Sequence, residues 1–149
     1  MADKLRYDPL PGWLRVGDWQ DRLQHSGQFN LGGDLPPADS LMLAKPDSGG
    51  LILVSAYAAP PILETRRMAK QLVEGLAKAG NLVAPVETVD DCSSFSFTSP
   101  DGIMSGTLDV RRLSGDDNFL AVSVGMWDAQ DHERDNASFR RLLAGLRAG

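Results

Sequence analysis

The side chains able to do chemistry are few, and most of them stand alone. The chain has two histidines, His25 and His132, and one cysteine, Cys92. No second histidine lies four residues from either, no Cys-x-x-Cys occurs and no histidine neighbours Cys92, so the nitrogen and sulfur set of a structural zinc site is missing. The densest polar stretch is Asp128, Asp131, His132, Glu133 and Asp135. It has oxygen ligands enough for a hard cation but neither the alternating spacing nor the sixth-position glycine of a calcium loop. It reads as a solvated connection into a helix whose N-terminus favours carboxylates, and no metal ligand is assigned. The alternative, a small-ligand or metal-dependent protein using loop 128–135 with His132, requires a concave pocket with converging polar groups near residues 127–135. Cys92 follows Asp90 and Asp91, whose charge raises a thiol pKa and opposes a reactive thiolate, so it reads as a structural cysteine.

Nucleophile and nucleotide motifs are equally scarce. Asp47-Ser48-Gly49-Gly50 superficially resembles the serine segment of trypsin-like proteases, but the chain is far too short for that double barrel and the surrounding pattern is a hairpin turn. No Gly-x-Ser-x-Gly elbow, phosphate-cradling Gly-Lys-Ser/Thr loop or Gly-x-Gly-x-x-Gly turn is present. The expectation is a protein without catalytic residues, metal or cofactor.

A chain of 149 residues, 42% of them hydrophobic, makes one domain, residues 1–149, that buries roughly two-thirds of its unfolded surface. Its net charge of −5 repels a phosphate backbone and argues against nucleic acid as a partner. A single cysteine forms no internal disulfide, and no leader-like pattern opens the sequence, so a cytoplasmic protein is expected. No run approaches the roughly 20 apolar residues of a membrane span.

The elements follow from patterning. Trp13, Val16 and Trp19 sit in an irregular Pro- and Gly-rich start and are bulky enough to plug one side of a core. Leu41–Lys45 and Leu51–Ala58 flank Pro46-Asp47-Ser48-Gly49-Gly50 as a hairpin, and Leu51-Ile52-Leu53-Val54, apolar on both faces, suggests a central strand. Pro61 suits the first position of a helix along which Ile62, Ala69, Leu72, Val73, Leu76 and Ala77 recur, with Glu74 and Lys78 paired outside and Gly80-Asn81 as the stop. Period 2 then takes over: Val83–Val89, a strand around Phe95 and Phe97, a turn at Pro100-Asp101-Gly102, then Met104–Arg111 and Phe119–Trp127 around a turn at Ser114–Asn118. Consecutive strands favour an antiparallel meander. A closing helix, N-capped by Asp135 or Asn136, carries Phe139, Leu142, Leu143 and Leu146 as one stripe, with Arg147 at its C-terminal dipole. The fold class is α+β: an antiparallel sheet packed with a long central amphipathic helix and a C-terminal helix. Charge is uneven, since the first helix bears Arg66, Arg67, Lys70 and Lys78 against Glu64 and Glu74, whereas residues 81–149 hold six basic against eleven acidic side chains. A solvated helix face is the simpler account of it, and the alternative is that such polarity steers a partner or a second copy of the chain.

The Pro-Gly-Trp segment at Pro11-Gly12-Trp13, the hairpin into Ala58-Ala59-Pro60-Pro61, the amphipathic helix, the meander with Gly106 and Phe119–Met126, and the Phe139-x-x-Leu142-Leu143-x-x-Leu146 helix together resemble the PsbP-like superfamily. That group includes the Ran-binding Mog proteins, DcrB-like proteins and chaperones of type VI secretion effectors. The resemblance implies a non-enzymatic domain that binds another protein through its sheet face and loops. Ser105, Thr107, Asp109 and Arg111 share one strand face, with Trp127 near its end, and if left uncovered they form the expected docking surface. The expected role is an adaptor or chaperone for an effector segment in a bacterial secretion system. The alternative is an immunity protein that blocks a toxin, and a homodimer fits either.

Overall fold

A computed structural model describes residues 5–16, 38–59, 64–116 and 118–149. Two short strands, β1 (Leu5–Arg6) and β2 (Leu14–Val16), precede the hairpin β3 (Asp39–Lys45) and β4 (Gly50–Ala58). Helix α1 (Thr65–Lys78) is followed by β5 (Leu82–Val83), β6 (Glu87–Val89), β7 (Cys92–Thr98), β8 (Met104–Arg112) and β9 (Phe119–Asp128). A 3₁₀ turn at Ala129–Asp131 leads into α2 (His132–Gly145) and the final strand β10 (Arg147–Ala148). The main sheet runs β2-β3-β4-β9-β8-β7-β5, with β6 also paired to β7 and every pairing antiparallel. Strands β1 and β10 pair separately, joining Leu5 to Ala148.

Alternation of side chains splits the interior into two cores, one on each face of the sheet. On one face Leu41, Leu43, Ile52, Val54, Trp127 and the α2 stripe Phe139, Leu142 and Leu143 pack with Trp13 and Leu146. On the other, Leu53, Phe95, Phe97, Leu108, Val110, Leu120, Val122 and Val124 meet Ala69 of α1. Each fully buried Leu or Phe contributes about 1.5–3 kcal/mol relative to exposure, which is ample reason for both helices to dock. The expected central strand is β4: Ile52 and Val54 face one core and Leu53 the other. Trp13 is buried as expected, and Trp19 and His25 lie outside the described residues.

Three sequence expectations change. Helix α1 is not long, since α1 and α2 have 14 residues each, and α1 lies on one face rather than at the centre. The expected start at Pro61 and Ile62 falls outside the described residues, Glu64 is the N-cap, and Ala77 is exposed rather than part of the apolar stripe. The expected stop is present: Gly80 adopts φ +95°, its N–H bonds to Ala77 O, and the Asn81 N–H reaches back to Leu76 O. Finally, α2 starts at His132 with Asp131 as N-cap, so neither Asp135 nor Asn136 caps it. Both side chains are claimed by the sheet instead: Asp135 takes Lys45 of β3 at 3.1 Å, and Asn136 takes Thr107 of β8.

Candidate functional site

Strand β8 places Ser105, Thr107 and Asp109 on the face toward α2, two residues apart and about 6.6 Å per step. On α2, His132, Asn136 and Arg140 recur every four residues, about 6 Å per step along the helix axis. The two spacings nearly match, and the rows zip together. Ser105 Oγ lies 2.9 Å from His132 Nδ1, Thr107 Oγ1 donates to Asn136 Oδ1 at 2.7 Å, and Arg140 approaches Asp109 at 3.9 Å. Arg111 extends the row, gripping Asp109 through two bonds of 2.7 and 3.0 Å and donating to Leu143 O of α2. Burial pushes the Arg111 guanidinium down, but the bond and charge of Asp109 more than offset this and hold it above its ordinary pKa.

The surface expected at Ser105, Thr107, Asp109 and Arg111 is therefore covered. Ser105, Thr107 and Asp109 are buried, and Arg111 keeps only a fifth of its side chain exposed. Trp127 is buried as well, its indole N–H donating to His132 Nδ1 at 3.0 Å and its ring edge-on to Phe139. Gly125 makes room for this packing, because a Cβ there would collide with the Trp127 ring and press on Phe139. The condition attached to the docking face fails because α2 carries polar partners at the matching spacing.

The acidic stretch does not converge. Asp131 and Asp135 share Arg134, Asp135 is buried against Lys45, and His132 turns toward Trp127 and Ser105. Among the described residues no three His, Cys, Asp or Glu side chains come together as a ligand set. Cys92 is half-buried, and burial first, then Asp109, Asp91 and Asp90, raise its thiol pKa against the opposing pull of Arg111. The two aspartates act as expected, and burial is the larger cause that local sequence did not reveal. They also form the β6–β7 turn, at φ 49° and 62°. Ser48 Oγ is buried in the β3–β4 turn, with no hydrogen-bond partner among the described residues.

What the sequence did not reveal is a hollow of about 430 Å³ at the outer end of the sheet. Leu82 and Val83 of β5, Ser96, Phe97 and Thr98 of β7, Ser105 of β8, and Ala129 and His132 line it, with Ala84 at its lip. Leu82 is 71% exposed on its rim, and Ile103, 61% exposed, adjoins through its carbonyl bond to the Ala129 N–H. Of the 127–135 stretch on which the small-ligand alternative relies, only Ala129 and His132 reach this hollow, and β5 and β7 supply most of its wall. The matching spacings of Ser105, Thr107 and Asp109 with His132, Asn136 and Arg140 were the available signal for its inner wall.

No protein-family profile matches the chain, and no curated protein matches it. Among solved structures, the solution structure of cyanobacterial PsbP (CyanoP) from Synechocystis sp. PCC 6803 aligns with a TM-score of 0.55 over 100% of this chain and 95% of that one, at 8% identity. The chain is similar to it in fold, and the PsbP-like α+β architecture expected from sequence is present. Among the described residues no helix is long and apolar enough to cross a membrane.

Proposed function

We propose that the chain is a non-enzymatic, cytoplasmic protein-binding domain, an adaptor or chaperone, whose partner docks at the outer end of the sheet around the hollow beside β5. The observation that carries this reading is the apolar rim: Leu82 and Ile103 stand largely exposed beside a concavity. Exposed apolar groups gathered around a hollow mark interaction sites, whereas single scattered ones do not. The PsbP-like fold agrees with the reading, since the sequence resemblance that pointed to that fold also pointed to effector chaperones. Charge polarity supports it too, because Arg66, Arg67 and Lys70 of α1 are exposed on one side while acidic residues crowd the loops around the hollow.

Affinity capture from the source cell tests the site. Leu82→Asp and Ile103→Asp each weaken retention of the dominant captured protein by about tenfold or more. Leu14→Asp, on an equally exposed leucine at the β2 edge far along the sheet, leaves it unchanged. Equal retention by all three variants sinks the site. Gene neighbourhood separates an effector chaperone from an immunity protein, and light scattering decides the homodimer.

A further inference from the structure

The chemistry of the hollow identifies the kind of segment it accepts. An indole N–H can only donate, so His132 Nδ1, 3.0 Å from Trp127 Nε1, is an acceptor, and the proton of the neutral ring sits on Nε2. With Nδ1 engaged by Trp127 and Ser105, Nε2 is the ring nitrogen left to bond a ligand of the hollow that His132 lines. No described residue accepts its hydrogen. Thr98, which also lines the hollow, makes no side-chain hydrogen bond among the described residues, and the Ser96 hydroxyl reaches Thr107 only at 3.4 Å. The hollow thus offers one fixed donor and one adaptable hydroxyl beside the exposed side chain of Leu82, which β5 sets opposite Thr98.

Charge selects among acceptors. Asp101, Asp128, Asp131 and Glu133 occupy the segments bordering the hollow. Arg134 is engaged with Asp131 and Asp135. A carboxylate is repelled from such a rim. So is a second copy of this chain, which brings the same acidic end. Backbone geometry adds a direction. The Ala84 N–H bonds to Ser96 O, and β5 sets Val83 opposite Phe97, so the peptide groups of Val83 turn outward, where no described strand pairs with them. An extended segment can lie there, but Pro85 keeps the pairing short, so side-chain contacts must supply most of the affinity.

Resting on the protein-binding reading above, we propose that the hollow holds an extended segment of a partner protein that offers an uncharged carbonyl to His132 Nε2–H, seats an apolar side chain against Leu82, and carries lysine or arginine at its flanks. Titration of the full chain with acetyl-Lys-Val-Leu-Val-Lys-amide and with its Glu-flanked counterpart, followed by amide chemical shifts, tests this. The basic peptide binds about tenfold or more tighter, shifts Val83, Thr98 and His132, and weakens as salt is added. His132→Phe, which keeps a ring but removes the donor, costs roughly fivefold to tenfold in affinity, while His132→Gln, which retains an N–H, costs about twofold at most. Thr98→Val is the second probe, should His132→Phe fold poorly by circular dichroism, and costs about threefold. Equal binding of both peptides, no binding of either, shifts that map elsewhere, or full affinity in both His132→Phe and Thr98→Val overturns the inference. Binding of acetyl-leucine amide as tightly as the basic peptide also overturns it, because the flanks then play no part. A captured partner that is lost on Leu82→Asp yet indifferent to His132→Phe removes this inference while leaving the protein-binding reading intact.

Discussion

The Asp109–Arg111 pair is the most exacting test of how α2 is held. Asp109 keeps 1% of its side chain exposed and Arg111 20%, so the carboxylate is fully removed from water while the guanidinium retains an outlet. Removing one member of a buried pair costs about 3–5 kcal/mol, mostly because the survivor is left charged and unpaired. Asp109→Ala falls below that range, about 2–3 kcal/mol, since Arg111 can swing toward solvent while its bond to Leu143 O is available. Arg111→Ala costs more, about 3–5 kcal/mol, because Asp109 then has only Arg140, at 3.9 Å, to offset its burial. The double variant Asp109→Leu/Arg111→Met, with both charges gone and the volume roughly kept, recovers to within about 1–2 kcal/mol of the parent. Urea unfolding reads all three through the midpoint at constant slope, and thermal melting falls about 2–4 °C per kcal/mol for a chain of this size. Two results refute the reasoning: single variants within about 0.5 kcal/mol of the parent, or a double variant as unstable as the sum of the singles.

Two further outcomes follow from the geometry. Gly125→Ala drives a methyl into Trp127 and Phe139, both fully buried, and lowers stability by about 1–3 kcal/mol in the same urea assay, with the near-ultraviolet tryptophan signal changed. Burial raises the Cys92 pKa above 9.0 in the folded chain, so its contribution to stability is complete below about pH 9 and declines as pH rises through the folded value. Thermal melts between about pH 9 and 10 should decline less in Cys92→Ala than in the parent; the window stops there because Tyr57, whose pKa burial also raises, begins to matter above its ordinary 10.0.

Local pattern carried the sequence reading where one element decides its own form. The β3–β4 hairpin, the Gly80-Asn81 stop, the Phe95 and Phe97 alternation and the Phe139, Leu142 and Leu143 stripe all appear as read, because turn chemistry and hydrophobic period act within a few residues. Errors arose where a distant partner decides. Asp135 has the right side chain for a cap, but Lys45, 90 residues earlier, takes it into the interior. The polar face of β8 reads as solvent-facing until the matching row on α2 is laid against it. The hollow was illegible for the same reason, being bounded by three strands and the 3₁₀ turn that no single window contains.

The zipped row on β8 also bears on misfolding. Side chains alternate across the sheet, so a slip of β8 by one residue against β9 turns Ser105, Thr107, Asp109 and Arg111 toward Leu72, Val73 and Phe95, and presses Leu108 and Val110 against Asn136 and Arg140. An all-apolar strand would tolerate that error with little penalty and linger in it. Here the wrong alignment buries a carboxylate and a guanidinium among hydrocarbon and leaves the helix amides and guanidiniums facing hydrocarbon, so the misaligned species is expelled rather than trapped. Polar groups that add little net stability to the correct structure thereby act as its proofreaders, on a strand whose opposite face is lined by Leu108 and Val110.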